Sequence, residues 1–110
     1  MMELIEGIRG KVRQRRYELS RHAVDQSIVR SISVEEMEEA LLAESEVIED
    51  YPEDERGPSC LVLGYTAAGR PLHFQVSYPT RPVLKVITVY EPDTALWVRH
   101  RRRKSCEESR

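Results

Sequence analysis

The chain has 110 residues, of which 40% are hydrophobic and 33% charged, and its formal net charge is -2; this size fits one small domain, residues 1–110, and excludes two independent cores. No apolar stretch approaches the roughly 18 residues that span a bilayer, and residues 1–17 lack a signal-peptide apolar region, so we expect a soluble, cytoplasmic protein without membrane contacts. Cys60 and Cys106 belong to no CxxC motif or Cys/His cluster, so we expect no zinc site, disulfide framework or cofactor.

Three helices are predicted in the N-terminal half of the chain. The first, over about residues 3–15, is indicated by apolar residues at helical spacing: Leu4, Ile5, Ile8 and Val12. After a short extended piece at 17–19, Ser20 is a candidate N-cap for a second helix. Ser33 and Glu36 form a capping-box motif for the third helix. This third helix presents Met37, Ala40 and Leu41 on one face.

Strands are predicted in the second half. Residues 60–65 are typical of a buried strand, and residues 72–78 alternate between two faces. Residues 83–90 form a β-branched run typical of a central strand. The segment 96–98 is compatible with a strand or a helix. Helices followed by antiparallel strands favour an α+β two-layer domain, in which one sheet face is covered by helices and the other is open.

Charge is distributed unevenly along the chain. Residues 1–30 hold seven Lys/Arg and four acids, residues 31–55 hold eleven acids and no Lys/Arg, and residues 57–110 hold nine Lys/Arg and four acids. The densest cationic block is 99–104, which is compatible with a phosphate-binding arm or with a solvated C-terminal tail. We divide the chain into a helical extension, a core and a basic tail: residues 1–16, 17–98 and 99–110.

An ordered series of short motifs resembles the domain-of-unknown-function family DUF4258. These motifs are Tyr17 to Ala23, Arg30 to Ser33, Val47 to Pro52, Gly64, Gly69 to His73, Ile87 to Asp93, and Trp97. The family resembles RelE-like ribonuclease toxins, which implies N-terminal helices on a four-stranded antiparallel sheet, an RNA substrate and a small antitoxin protein as partner. The sequence departs from the family at Ser31, where a glycine is common. This difference affects the expected local turn more than the expected chemistry.

The resemblance implies metal-independent cleavage, in which the 2′-hydroxyl of RNA attacks the phosphate. Such a reaction needs a base, an acid and cations for the phosphorane charge. His22 and His73 are the two histidines within the predicted fold and can share the acid and base roles. His73 lies on the polar face with Gln75 and is expected to be open to a ligand, although a solvated sheet histidine is the alternative. His22 can equally brace the start of its helix.

Further candidates lie on the last long strand and among the cations. Thr88 and Tyr90 occupy every second position after Leu84 and Val86, which places all four on one face of the predicted strand. Thr88 and Tyr90 therefore either lie in the core or form a polar patch at the edge of the sheet on that face. Tyr90 can donate a proton or stack on a base. Ordinary surface positions are the alternative for the phosphate-binding candidates, which are Arg21, Arg30, Arg70, Lys85, Arg99, Arg101, Arg102 and Arg103.

Two other functions compete with the ribonuclease. The first is a non-catalytic module of the same fold that binds RNA or an acidic protein segment through the basic tail. The second is a structural partner protein that uses its acidic helix as the contact surface. The acids of residues 35–55 show no convergent carboxylate pair, so we expect no catalytic metal.

Overall fold

A computed structural model describes residues 2–104 of the chain. Its helices are α1 (Met2–Arg13), α2 (Arg21–Val29) and α3 (Val34–Leu42). Its strands are β1 (Tyr17–Leu19), β2 (Glu46–Tyr51), β3 (Ser59–Tyr65), β4 (Pro71–Ser77), β5 (Leu84–Tyr90), β6 (Trp97–Val98) and β7 (Arg102–Arg103). None of the helices in this range is long and apolar enough to cross a membrane. The predicted α+β class is confirmed.

The main sheet has five strands in the order β1-β5-β4-β3-β2. Strands β2 to β5 pair antiparallel with their neighbours, whereas β1 pairs parallel with β5, with Tyr17 opposite Leu84 and Leu19 opposite Val86. The expected four-stranded antiparallel sheet was therefore wrong. The extended piece 17–19 adds a fifth strand, because the free edge of β5 offers its backbone groups as partners.

The core lies between the three helices and one face of this sheet. Apolar side chains from both layers meet there: Ile5, Ile8, Val12, Ala23, Met37, Leu41, Val62, Leu72, Phe74, Val76, Leu84, Val86 and Val89. Three of these come from α1, so the N-terminal helix packs into the same core as the sheet. Gly64 of β3 lets α3 approach closely, since a Cβ there would lie 2.2 Å from the carbonyl oxygen of Ala40.

Both predicted helix caps are present. The Ser20 hydroxyl accepts a hydrogen bond from the backbone N–H of Ala23 at 3.0 Å. Ser33 and Glu36 form the full capping box, with both reciprocal bonds at 3.0 Å. These bonds satisfy N–H groups that have no partner within a helix, which explains why α2 and α3 begin where they do.

Ser31, where the sequence departs from the family pattern, ends α2 in a left-handed conformation with φ of 54°. The N–H of Ile32 donates to the carbonyl of Ser27 at 2.8 Å, and the N–H of Ser31 donates to that of Ile28 at 3.2 Å. This pair of bonds is the Schellman motif, in which glycine is the usual left-handed residue. The turn therefore forms, but with a side chain in a region that disfavours one.

Replacing Ser31 with glycine is expected to stabilise the protein by up to about 1 kcal/mol, because relief of the left-handed strain exceeds the added chain entropy of the unfolded state. Ser31→Ala is the matched control, since alanine removes the same hydroxyl but keeps the strain. Urea denaturation of the three proteins measures the difference. A Ser31→Gly variant no more stable than Ser31→Ala would contradict the assignment of strain to this residue.

Candidate active site

The sheet face turned away from the helices carries the polar residues singled out on β4 and β5. A bulge in β5 decides which β5 residues reach this face: Gln75 pairs with Thr88, whereas Val76 pairs with Val86, so Ile87 is an extra residue. One extra residue reverses the alternation. Thr88 and Tyr90 therefore point away from the core, unlike Leu84 and Val86, and the parity predicted for them was wrong.

His73 and Tyr90 are register partners on this face. The side chain of His73 is fully buried. Its Nε2–H donates to the backbone carbonyl of His100, and because a carbonyl only accepts, Nδ1 of the neutral ring is left as an acceptor. The Tyr90 hydroxyl lies 3.1 Å from Nδ1 and donates to it. The structure thus forms a chain of hydrogen bonds from Tyr90 through His73 to the His100 carbonyl.

Strands β6 and β7 form a hairpin that covers His73, so the expected openness of this histidine was wrong. The Trp97 ring packs edge-on against the imidazole, with 4.5 Å between the centroids. The hairpin turns at Arg99 and His100, with φ of 54° and 66°, and the N–H of Arg101 donates to the Val98 carbonyl at 3.1 Å. Two successive positive φ angles fit a type I′ turn. This strained turn directs the His100 carbonyl onto His73.

Ion pairs with β2 fasten the hairpin. Arg103 contacts both carboxylate oxygens of Glu49, at 2.7 and 3.2 Å, and its guanidinium carbon lies 4.7 Å from the centroid of the Trp97 ring. Arg101 forms a 2.9 Å pair with Glu46. The Tyr51 hydroxyl also donates to Glu49. Basic residues of the hairpin thus meet acids of the central segment, and residues 99–104 are a docked turn and strand rather than a solvated tail.

Beside the hairpin a surface groove of about 600 Å³ leads to Tyr90. Its walls combine aromatic, apolar and charged groups: Arg30, Tyr90, Glu91, Pro92, Asp93, Leu96, Trp97 and Arg103. Tyr90 is half-buried and reaches this groove, whereas His73 lies behind it. A ligand in the groove therefore meets Tyr90 and not the imidazole of His73.

Burial sets the protonation states of these groups. Desolvation lowers the pKa of His73 from its usual value, and desolvation raises the pKa of Tyr90. Burial alone would raise the pKa of Glu49, but hydrogen bonds from Arg103 and Tyr51 outweigh it and lower that pKa. At neutral pH the site therefore holds a neutral imidazole, a neutral phenol and an ionised carboxylate.

The lowered pKa of His73 predicts that acid destabilises the fold. As the pH falls below the unfolded-state value near 6.5, the unfolded chain binds a proton that the folded state resists, so stability decreases. Thermal unfolding of wild type is expected to show this loss between about pH 7.5 and about pH 5.5, and His73→Gln should lose less over that range. His73→Asn is a second replacement without a titratable ring and should reduce the loss as His73→Gln does. Equal slopes for all three proteins would contradict the role given to His73.

The structure does not bring the two predicted catalytic histidines together. His22 is the exposed second residue of α2, next to the exposed Arg21. Helix α2 packs on the core face of the sheet through Ala23, whereas His73 projects from the opposite face. An acid–base pair made of these two side chains is therefore ruled out by their placement on opposite sides of the sheet.

Arg70 is occupied by protein groups rather than open to phosphate. Its guanidinium donates to the carbonyls of Arg30 at 2.7 Å and Ser31 at 3.0 Å, which are the last carbonyls of the α2 turn. It also pairs with Glu91 at 2.9 Å and Glu36 at 3.4 Å. Arg70 thus holds the end of α2 against the sheet and leaves the Arg30 side chain at the groove.

The remaining candidate cations are spread over the same sheet face and the hairpin. Lys85 lies at the far end of β5, and Thr88 lies between it and Tyr90. Among residues 2–104, acidic partners within 4 Å are found for Arg101 and Arg103 but not for Arg99, Arg102 or Lys104. Residues 105–110, which include Cys106, lie outside the described residues. Cys60 is buried, and desolvation raises the pKa of its thiol to about 12.

Four residues of the site escaped prediction: Glu49, Tyr51, Trp97 and His100. Glu49 and Tyr51 follow a second bulge, between Val47 and Glu49, that turns them onto this face. Bulges leave no clear signature in residue alternation. The sequence signal that pointed to this element was Trp97 followed by Val98 before a basic run, because aromatic and β-branched residues are common in strands.

Comparison with known proteins gives one match. The family model described as "Domain of unknown function (DUF4258)" matches residues 19–91, which include β4 and β5 with His73 and Tyr90 and precede the β6–β7 hairpin. No curated protein and no solved structure matches. Because the matched region covers more than half of the chain, the protein belongs to the DUF4258 family.

Proposed function

We propose that this protein is a metal-independent endoribonuclease that cleaves RNA by attack of the 2′-hydroxyl, with Tyr90 as the catalytic base. The observation that carries the proposal is the hydrogen bond from the hydroxyl of Tyr90, a residue that lines the groove, to Nδ1 of the buried, neutral His73. The fold resemblance to RelE-like toxins, a cytoplasmic site of action and a small antitoxin protein that restrains the enzyme belong to the same proposal.

The proton moves along this chain as the phosphate reacts. The Tyr90 oxygen takes the proton of the 2′-hydroxyl while its own proton passes to Nδ1 of His73. The 2′-oxygen then bonds to phosphorus, the bond to the 5′-oxygen breaks, and that oxygen takes a proton from water. The hydroxide that remains takes the proton of Tyr90 while Nδ1 of His73 returns its proton to the Tyr90 oxygen, so water is reformed and both side chains are neutral again. The products are a 2′,3′-cyclic phosphate and a 5′-hydroxyl. His73 touches no substrate atom, so it is a positioning and proton-accepting residue behind Tyr90.

The surroundings of the pair support each step. The His100 carbonyl accepts from Nε2–H and stabilises the imidazolium that forms. Arg30 lines the same groove, has no acidic partner within 4 Å among the described residues, and supplies positive charge for the phosphorane, whereas the charge of Arg103 is balanced by Glu49. The pKa of His73 is lowered by burial, so the ring is neutral at neutral pH and Nδ1 keeps the lone pair that the proton of Tyr90 needs. The half-buried ring of Tyr90 offers aromatic surface on which an unpaired base can stack.

The test is cleavage of a mixed-sequence RNA by purified protein with EDTA present. Products ending in 2′,3′-cyclic phosphate that disappear with a folded His73→Gln variant are the expected result. His22→Gln is the matched control and should cleave like wild type, because His22 lies on the other side of the sheet. Cleavage that needs His22 and not His73 would overturn the assignment.

A second candidate function is RNA binding without cleavage. It is favoured by the hairpin, which buries His73 completely and presents the exposed cations Arg99, Arg102 and Lys104. Two results together would favour this function over the enzyme. RNA affinity should rise as the salt concentration is lowered and fall when these three cations are removed, and the EDTA assay should show no cleavage.

A further inference from the structure

A second concave site lies on the same sheet face, beyond the reach of the hairpin. It has a volume of about 320 Å³ and lies between the loop after β2, the start of β3, the end of β4 and the start of β5. We call it the cationic pocket; its polar lining is made by Arg56, Ser59, Gln75, Ser77, Arg81 and Lys85. None of the reactions described above uses it.

The charges of the cationic pocket are unbalanced. Among the described residues, Arg56, Arg81 and Lys85 have no acidic partner within 4 Å, whereas Arg9, Arg70, Arg101 and Arg103 each have at least one. The one acid in the lining is Asp54, whose carboxylate accepts the backbone N–H of Arg56 at 2.9 Å. Three cations facing one carboxylate in a protein of net charge -2 favour an anionic ligand.

Two buried hydroxyls add directed donors. Ser59 and Ser77 are register partners, and they are 2% and 3% exposed. The Ser59 hydroxyl accepts from the Gln75 amide at 3.2 Å, and the Ser77 hydroxyl accepts from the backbone N–H of Lys85 at 2.9 Å. A hydroxyl that accepts in this way keeps its own hydrogen to donate. The pocket thus combines cations with hydroxyl donors, which is the chemistry that binds phosphate oxygens.

We infer that the cationic pocket binds a backbone phosphate of the RNA strand that is cleaved at Tyr90, an inference that rests on the proposed function. Lys85 of the pocket lies five residues from Tyr90 on β5, which is roughly 15 Å along the strand. Gln75 of the pocket and His73 lie two residues apart on β4. Both project from the same sheet face. A strand whose scissile phosphate lies at Tyr90 can therefore place a phosphate a few nucleotides away in the pocket, where it fixes the position of the strand.

The experiment measures binding of a short single-stranded RNA whose 2′-hydroxyls are methylated, so that it cannot be cleaved. Removing two pocket charges with R81Q/K85Q is expected to weaken binding about tenfold at low salt and to flatten the salt slope by about 0.7 for each phosphate that no longer pairs with a cation. R13Q/R15Q is the matched control, because it removes the same charge from exposed positions at the end of α1. The control should bind within about twofold of wild type.

Charge-preserving R81K/K85R should retain the affinity, which separates loss of charge from loss of fold. The inference is overturned if wild type does not bind this RNA, if R81Q/K85Q binds it unchanged, or if R13Q/R15Q weakens binding equally. It is also overturned if inorganic phosphate binds in the pocket while R81Q/K85Q has the same RNA affinity as wild type. If wild type does not cleave unmodified RNA but R81Q/K85Q still weakens RNA binding, the ribonuclease proposal is wrong and the pocket remains a phosphate-binding site for RNA.

Discussion

Replacing Tyr90 with phenylalanine is expected to slow RNA cleavage by about two to four orders of magnitude, the usual contribution of a positioned proton-transfer group. Phenylalanine keeps the aromatic surface of the groove but removes the hydroxyl that passes the 2′-hydroxyl proton to His73. RNA affinity should change by less than about threefold, because no cation is removed. Single-turnover cleavage with EDTA and binding of the methylated RNA separate the two effects.

Tyr78→Phe is the matched control for this prediction. Its hydroxyl donates to Asp50, away from His73 and Tyr90. It should cleave at the wild-type rate. Because Tyr90→Phe leaves Nδ1 of His73 without its partner, it costs about 1–3 kcal/mol of stability, and thermal unfolding must show that the variant is folded at the assay temperature. A folded Tyr90→Phe protein that cleaves like wild type would end the role of Tyr90 as base.

The double variant tests whether the two residues act as one unit. If the proton passes from Tyr90 to His73, removing either side chain breaks the same path, so H73Q/Y90F should be about as slow as the slower single variant. Independent roles would instead multiply the two losses. This distinction does not depend on the size of either single effect.

The helices and the alternation of the strands could be predicted from the sequence because both depend on neighbouring residues. The Ser33–Glu36 capping box begins α3, and the alternation of Leu72 to Ser77 defines β4, as predicted. The pairing of the strands was harder to predict. The parallel edge strand Tyr17–Leu19 depends on the free edge of β5, which lies far along the chain. A three-residue segment carries too little pattern to specify such a partner.

The candidate site shows the same division. His73 and Tyr90 were both among the expected residues, since their residue types suit proton transfer, but the bulge at Ile87 that brings Tyr90 beside His73 leaves no mark in the pattern. Arg70 was expected to bind phosphate because a loop arginine gives no sign of its partners. In the fold, the end of α2 and two acids occupy its donors.

Replacing Trp97 with alanine is expected to lower the free energy of unfolding by about 3–5 kcal/mol, the usual loss for a buried aromatic side chain. Trp97 is 5% exposed, packs on His73 and carries the guanidinium of Arg103. Leu96→Ala is the control, because Leu96 is 62% exposed and should change stability by less than about 0.5 kcal/mol. Urea denaturation compares the variants.

The same substitution decides what the hairpin does. Loss of Trp97 exposes His73 to water, so the pKa of His73 should rise toward its usual value, which an NMR titration of the ring measures. If the hairpin only covers the site, cleavage by Trp97→Ala should increase. If the His100 carbonyl holds the imidazole in the tautomer that accepts from Tyr90, cleavage should decrease although His73 is more accessible. We expect the decrease, because the Nε2–H donor loses its acceptor when the hairpin detaches.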